Sequence, residues 1–463
     1  MPDDQTGAIL LDGPTDWQIL QQDEHGCADL PLAGRGDAET AGTVEVRLVA
    51  EDTGVAVSRD LDWRPAETRP DGTWSATLAR IPTGGLYRLE TRLNPPENLA
   101  GEWSTRGDMR HFLGVGDLWV IAGQSNSAGY GRGPYVDPPE LGVHLFRNSE
   151  TWALASHPLN ESTDTAHPVN REGGNPAHSP YLAFGRLLTA ELRHPIGLVQ
   201  TSLGGSALAA WNPAEPGDAP LFDNMLHCIG LVGGRVKGIL WYQGESDTGS
   251  QALAETYEGR FIRAVQAWRA ATGIPDLAVI TVQLNRVHGV PAEWNDTTWS
   301  LVREAQRQIP NALDRVVVVP SIDCPLADGI HTAPGGNMLL GERMARAALG
   351  AFSGRPVDYL APDIQSARAI KGGKAIELAF APVTSRMGCH DPEANCFRVE
   401  DADGHVPVDR LVYRGDHTVL LMLDRPLSGD AVVHGAWGTD PAMAPMDIER
   451  VMPMLAFHGA KVE

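Results

Sequence analysis

The sequence predicts an α/β protein: a doubly wound parallel sheet of about five strands, set between two β-rich modules. Two observations carry this reading. First, short and nearly continuous apolar runs fall between about residues 116 and 350: DLWVIAG (Asp117–Gly123), IGLVQTSLGG (Ile196–Gly205), GILWYQG (Gly238–Gly244), LAVITVQLN (Leu277–Asn285) and RVVVVPSID (Arg315–Asp323). Strands that are apolar on both faces belong to a buried parallel sheet. Second, helical periodicity lies between them. In Ala252–Ala271, Leu253, Tyr257, Phe261, Val265 and Trp268 recur three or four apart and form one apolar stripe. A further helix is expected from Pro334 to Leu349, opened by Pro334 in its first turn. Strand, helix and strand in alternation make a doubly wound α/β domain.

The flanks follow a different rule. TVEVRLVAED (Thr43–Asp52) and GLYRLETRL (Gly85–Leu93) alternate with period two, and turn clusters such as RPDGTW (Arg69–Trp74) separate such segments. This is the pattern of half-buried antiparallel strands. Residues 1–112 therefore read as a β-sandwich module and residues 113–352 as the α/β domain. Alternation returns in KAIELAFAP (Lys374–Pro382), HTVLLMLDRP (His417–Pro426) and DAVVHGAW (Asp430–Trp437), so residues 353–463 read as a second β-rich module.

Charge narrows the function. The 463 residues carry 37 Lys+Arg against 59 Asp+Glu, a net −22, which repels phosphate backbones and anionic lipid surfaces. No partner nucleic acid or membrane is expected. No apolar run reaches the length of a membrane span. The start, MPDDQTGAILLDG, lacks a basic segment followed by an apolar one. A cytoplasmic location is therefore expected, with a trimmed exported protein as the alternative. Five cysteines are too few for a disulfide framework, and Cys389 and Cys396 read as free thiols rather than a bridge.

In an open parallel sheet, ligands bind beyond the carboxyl ends of the strands, so the residues where each run stops are the informative ones. The first run stops at Gly123-Gln124-Ser125-Asn126. The second stops at Leu203-Gly204-Gly205-Ser206. The third stops at Gln243-Gly244-Glu245-Ser246-Asp247, and the last is followed by Asp328-Gly329-Ile330-His331. A serine, a glycine pair, an amide and an Asp-x-x-His together supply the parts of a serine hydrolase. Ser125 alone is equally a helix cap. His331 is one histidine among 15, set apart by Asp328 three residues upstream. That spacing lets a carboxylate hold the ring's Nδ1–H and fix its tautomer. Gly204 or Gly205 can bring a backbone N–H to a substrate oxygen, and the NH₂ of Gln243 is a further oxyanion candidate. Glu245 and Asp247 read as loop-ordering carboxylates. The sequence G-Q-S-N-S is not the G-x-S-x-G elbow of α/β-hydrolases. No H-E-x-x-H occurs, and neither a metal nor a cofactor is expected.

These motifs resemble those of the SGNH-type hydrolases and, more narrowly, the sialate O-acetylesterase family and the related acetylxylan esterases. The resemblance rests on GQSN (Gly123–Asn126), GGSALAAW (Gly204–Trp211), WYQGES (Trp241–Ser246) and DGIH (Asp328–His331), in that order. WQILQQ (Trp17–Gln22), DGTWSATL (Asp71–Leu78) and GAWGTDPAMAP (Gly435–Pro445) extend it, more weakly, over most of the chain. The chain departs from the family pattern at Ser127, where methionine is usual, and at Thr332, where proline is usual.

The resemblance implies a flavodoxin-like sheet and a carbohydrate O-acetylesterase, sialate esters being the first expectation and acetylated xylan or other plant polysaccharide the second. It implies Ser125 as nucleophile, His331 as general base and acid, and Asp328 as its orienting partner. The Ser125 N–H, Gly204 or Gly205, and Gln243 would form the oxyanion hole. Gln124, Asn126, Glu245 and Trp211 are candidate substrate contacts, and Arg132 or Arg171 could receive an anionic sugar. A non-catalytic carbohydrate-binding protein with a hydrolase-like core is the alternative from another class.

Overall fold

The structure is a computed structural model that describes residues 7–36, 42–94, 105–289 and 294–463. Its central sheet contains β1 (Thr105–Gly123), β2 (Val143–Phe146), β3 (Trp152–Leu154), β4 (Ile196–Gln200), β5 (Gly238–Tyr242), β6 (Ala278–Gln283) and β7 (Val316–Pro320). The strand order is β3-β2-β4-β1-β5-β6-β7. All neighbours are parallel except β3, which pairs antiparallel at one edge. The parallel part thus has one strand more than expected, because the short run Val143–Phe146 also joins it.

Helices α1 (Ser125–Ala128), α2 (Tyr181–Leu192), α3 (Pro220–Leu231), α4 (Gln251–Thr272), α5 (Asp296–Ala312) and α6 (Pro334–Ala347) connect the strands. The sheet is covered on both faces, and its two central strands show how. Trp119 of β1 pairs in register with Gly238 of β5, three residues from Trp241. Side chains alternate along a strand, so Trp119 and Trp241 leave the sheet on opposite sides. Trp119 packs edge-on against Phe184 of α2, with ring centroids 5.4 Å apart. Trp241 packs against Phe261 and Trp268 of α4 at 5.5 and 5.1 Å. The predicted stripe on α4 is this buried face: Tyr257, Phe261, Val265 and Trp268 are all fully buried, and Leu253 lies at its margin.

The first strand does more than was expected of it. It runs 19 residues, from Thr105 to Gly123. Its first half pairs with Gly84–Asn94 and its middle with Ile19–Gln21, both from the N-terminal module. Residues 112 and 113, the expected boundary, therefore lie inside one continuous strand. The module's other strands, among them Cys27–Gly36, Thr43–Ala50 and Thr73–Pro82, enclose a separate apolar core that includes Leu32, Val46, Trp74 and Leu89. After α6, two four-stranded antiparallel sheets and a small three-stranded one form the C-terminal module. All five cysteines are free thiols.

Only one residue type suits the end of β1. Gly123 has φ +123°, and a Cβ built there would lie 2.3 Å from the Tyr242 carbonyl oxygen of β5. The absence of a side chain lets β1 and β5 stay paired to their ends while the chain turns sharply into Ser125. We predict that Gly123→Ala destabilises the protein by about 3 kcal/mol or more, combining backbone strain with a backbone clash. Chemical denaturation of the purified variant, or failure to obtain it in soluble form, measures this.

Candidate active site

β4, β1 and β5 are neighbours, so the first three motifs open side by side at one edge of the sheet. The fourth has further to come, since β7 lies three strands from β1. Asn126 closes that distance. Its Oδ1 accepts the N–H of Thr332 at 2.9 Å, and its Nδ2 donates to the Ile330 carbonyl at 3.3 Å. The side chain next to Ser125 thus holds the backbone on both sides of His331. A second tie comes from Asn285, past the end of β6, whose Nδ2 donates to Thr332 Oγ1 at 3.1 Å.

The turn itself is built around Asp328. Its Oδ2 lies 2.8 Å from His331 Nδ1, and its Oδ1 accepts the N–H groups of Ile330 and His331 at 2.9 and 2.8 Å. Burial acts to raise the Asp328 pKa, but these bonds together outweigh it and hold the carboxyl below the usual range. The paired oxygen orients the ring with Nε2 pointing away from Asp328. Tyr130 stacks on the imidazole at 5.1 Å between centroids, which fixes the ring from one face. The half-buried Ser125 opens α1, and its hydroxyl has no hydrogen-bond partner among the described residues. Asn126 therefore ties the chain beside Ser125 to the backbone on either side of His331, and no hydrogen bond joins the Ser125 and His331 side chains. Catalytic hydrogen bonds of this kind often tighten only when substrate binds.

The oxyanion candidates separate cleanly. The Gly204 N–H donates to Glu172 Oε1 at 2.8 Å and is committed. The Gly205 N–H has no acceptor among the described residues, and a Cβ there would meet nothing within 4 Å. With φ +71° this glycine turns its backbone outward. The Ser125 N–H, at the first position of α1, is likewise free of an intrahelical partner. Gln243 does not stand at the mouth of the site as expected. It is fully buried, and its NH₂ donates to Asp247 Oδ2 at 2.6 Å, Gln124 Oε1 at 3.2 Å and the Ser206 carbonyl at 3.3 Å. It is a core amide, not an available donor.

The four candidate substrate contacts also lie inward. Trp211 is fully buried, donates to Ser206 Oγ at 3.0 Å and packs against Trp241. Gln124 is buried and accepts the Ser246 N–H at 3.1 Å, tying the first motif to the third. Asn126 is the latch described above. Glu245 is buried, and its Oε1 accepts from Asn126 Nδ2 at 2.7 Å. Glu245 and Asp247 are both buried and hydrogen-bonded to residues outside their own motif. Asp247 accepts from the Leu208 N–H and from Arg260 Nη1, at 2.9 and 2.6 Å.

Two residues went unnoticed in the sequence. Glu172 accepts from the Tyr130 hydroxyl at 2.7 Å and from Asn160 Nδ2 at 2.7 Å, besides Gly204. It joins the ring behind His331 to the glycine pair. Neither Glu172 nor Tyr130 lies at a strand end, so the rule that located the motifs passes over them.

Among the described residues, Asp137, His157 and His178 form one group of metal-ligating type, with donor atoms within 4.8 Å of one another. Both imidazole Nε2 atoms face Asp137 Oδ2, at 3.0 and 3.2 Å, and Arg186 Nη1 lies 2.8 Å from Oδ1. With three nitrogen donors on one carboxylate, the group is a hydrogen-bond node. It supports the segment just after Tyr130, since the His178 backbone pairs with Gly131.

Residues 115–350 match the family described as carbohydrate esterase, sialic acid-specific acetylesterase. The chain belongs to this family. A protein of Arabidopsis thaliana named as a probable carbohydrate esterase is 30% identical over 258 residues, covering 51% of this chain and 91% of its own length. Human sialate O-acetylesterase is 30% identical over 193 residues, covering 34% of this chain and 36% of its own. The matched stretch thus spans about a third of that enzyme. A carbohydrate acetylesterase from Xanthomonas citri, 22% identical, superposes with a TM-score of 0.66 over 96% of this chain and 97% of its own, which shows a shared fold across nearly the whole molecule.

Two outcomes follow for this carbohydrate esterase. Asn126→Ala leaves the Thr332 N–H and the Glu245 carboxyl without their partner, and releases the His331 turn. Turnover should fall about 100-fold, the scale of a misplaced catalytic group, with a loss of about 1–3 kcal/mol in stability. Steady-state kinetics and denaturation measure both. Burial raises the Glu245 pKa above its ordinary 4.5. The folded state then holds a proton that the unfolded chain releases as pH rises past that value, so this residue's contribution weakens with rising pH. Glu245→Gln removes the dependence. The melting temperature of the variant relative to the parent should rise between acid and neutral pH, read by thermal scans across that range.

Proposed function

We propose that this family member hydrolyses O-acetyl esters of sugars by a two-step serine mechanism, with sialate esters as its main substrates. Ser125 Oγ attacks the acetyl carbonyl carbon, and His331 Nε2 takes the hydroxyl proton. The N–H groups of Ser125 and Gly205 receive the charge that develops on the carbonyl oxygen. The tetrahedral intermediate collapses, the C–O bond to the sugar breaks, and His331 returns the proton to the departing sugar oxygen. Water then attacks the acetyl-enzyme by the same route, releasing acetate and restoring Ser125. Asp328 keeps Nδ1 protonated and stabilises the imidazolium. The observation that carries this reading is the 2.8 Å contact of Asp328 with His331, on a turn latched to the residue beside Ser125.

A polar cleft supports a sugar substrate. It encloses about 480 Å³ and is lined by Arg171, Glu161, Ser162, Thr163, Glu172 and Asn175. Glu172, on its lining, accepts from the Tyr130 hydroxyl, and Tyr130 stacks on His331. Arg171 is exposed there, and Arg132 donates to the Asn175 carbonyl at 2.9 Å. An exposed guanidinium in a hydroxyl-rich cleft suits a carboxylate-bearing sugar despite the net charge of the chain.

Ser125→Ala should lower turnover by roughly 10⁴–10⁶-fold with folding intact. Near-full activity in that variant would falsify the assignment. Acetate release is then compared between O-acetylated sialic acid and acetylated xylan. The sialate ester should be the better substrate, and Arg171→Ala should raise its KM about tenfold while leaving an uncharged acetyl sugar unaffected. Faster release from xylan, with no effect of Arg171→Ala, would transfer the assignment to neutral polysaccharide.

A further inference from the structure

The segment GAWGTDP (Gly435–Pro441) stands out in the sequence, yet it belongs to the C-terminal module and contributes no catalytic group. Gly435 and Trp437 pack within their own module, while the neighbouring residues reach the catalytic domain. On α5, Asp296, Ser300 and Arg303 are spaced four and three residues apart and share one face. Asp296 Oδ1 accepts the N–H and hydroxyl of Thr439 at 2.8 and 3.0 Å. Ser300 Oγ accepts the Gly438 N–H at 2.9 Å. Arg303 donates Nη1 to the carbonyls of Ala436 and Gly438. Its Nε and Nη2 donate to the carbonyls of Leu284 and Asn285 at 2.9 and 2.7 Å, just past β6. This guanidinium is wholly buried among carbonyls, and burial pulls its pKa down to about 9. Burying such a group is costly unless its hydrogen bonds are made, and here they join two modules.

The path continues to the catalytic turn. The Val287 N–H donates to the Thr439 carbonyl at 2.9 Å. Asp440 Oδ2 lies 2.9 Å from His288 Nδ1. The His288 N–H in turn donates to the Gly329 carbonyl at 2.7 Å. Gly329 is the residue after Asp328. Two residues of the loop after β6 thus stand between the C-terminal module and the carboxylate that orients His331.

We infer that Thr439 and Asp440 are positioning residues: the C-terminal module holds His288 so that its backbone fixes Gly329, and with it the angle at which Asp328 meets His331. The inference rests on the reading of Asp328 and His331 as the acid–base pair. It gives the C-terminal module a part in turnover, where a separate sugar-binding module would have none. The Asp440–His288 pair is half exposed, with side chains 47% and 45% accessible, so it contributes little to overall stability and can be removed without unfolding the chain.

The test uses the full-length protein with p-nitrophenyl acetate, a substrate too small to need the sugar cleft. Asp440→Ala and His288→Ala should each lower kcat about tenfold, less than the roughly 100-fold loss for a 1 Å displacement. KM and melting temperature should stay unchanged. The double variant should match either single one, as expected for two residues acting through one contact. Asp440→Glu should recover most of the loss. In a His331→Ala background, Asp440→Ala should have no further effect, because the support acts only through that ring. A kcat within twofold of the parent for both single variants would overturn the inference. So would an equal loss in the His331→Ala background. Full turnover by His331→Ala alone would overturn the acid–base reading, and this inference with it. That result is distinguishable because it appears without any change at Asp440.

Discussion

Asn126 makes the site possible. The strand that leads into Ser125 and the strand that feeds the His331 turn are not neighbours, so the sheet alone cannot place one beside the other. A single buried amide bridges the gap by bonding the residue before and the residue after His331. Its orientation is in turn set by Glu245, from the third motif. Three motifs separated by up to two hundred residues are therefore coupled through one side chain with no other task. In the buried interior each of these bonds is expensive to leave unmade, which makes the arrangement all-or-none.

The same logic of competition for hydrogen bonds explains the two departures from the family pattern. Thr332 stands where proline is usual, and its N–H is the donor to Asn126, a bond that proline cannot make. Ser127 stands where methionine is usual. Its buried hydroxyl donates to the Ala122 carbonyl at 2.9 Å and pairs with the Tyr181 hydroxyl at 2.5 Å, so the polar atom is fully used. Competition also decides between the glycines: Glu172 removes Gly204 from consideration by occupying its N–H.

The parallel sheet, its order of motifs and the α4 stripe were legible because each is a periodic or repeated signal. The Asp328–His331 pairing was legible because three residues of spacing constrain a turn so tightly. What escaped the sequence was direction. Gln243 and Asn126 sit just past strand ends, as functional residues do, and Trp211 closes the second motif, but their side chains point inward, and no pattern in one sequence separates the two cases. Glu172 and Tyr130 escaped for the opposite reason. Tyr130 reaches the site from the connection between α1 and β2, and Glu172 from the one between β3 and α2, where there is no periodicity to read. The strand that crosses from the N-terminal module into the parallel sheet was not visible, because its halves follow different rules: polar and partly exposed before Leu113, fully buried from Leu113 to Gly123.

That crossing strand has a practical consequence for anyone dividing the protein. β1 supplies the backbone from which Ser125 is displayed, and its earlier half finds its hydrogen-bond partners in Ile19–Gln21 and Gly84–Asn94. A fragment begun near residue 113 would keep Ser125, Asp328 and His331 but strip the neighbours from the base of its central strand. Open strand edges recruit other chains. The minimal hydrolase drawn from motifs alone would therefore tend to precipitate rather than work, and the N-terminal sandwich is better regarded as the missing wall of the catalytic sheet than as an accessory.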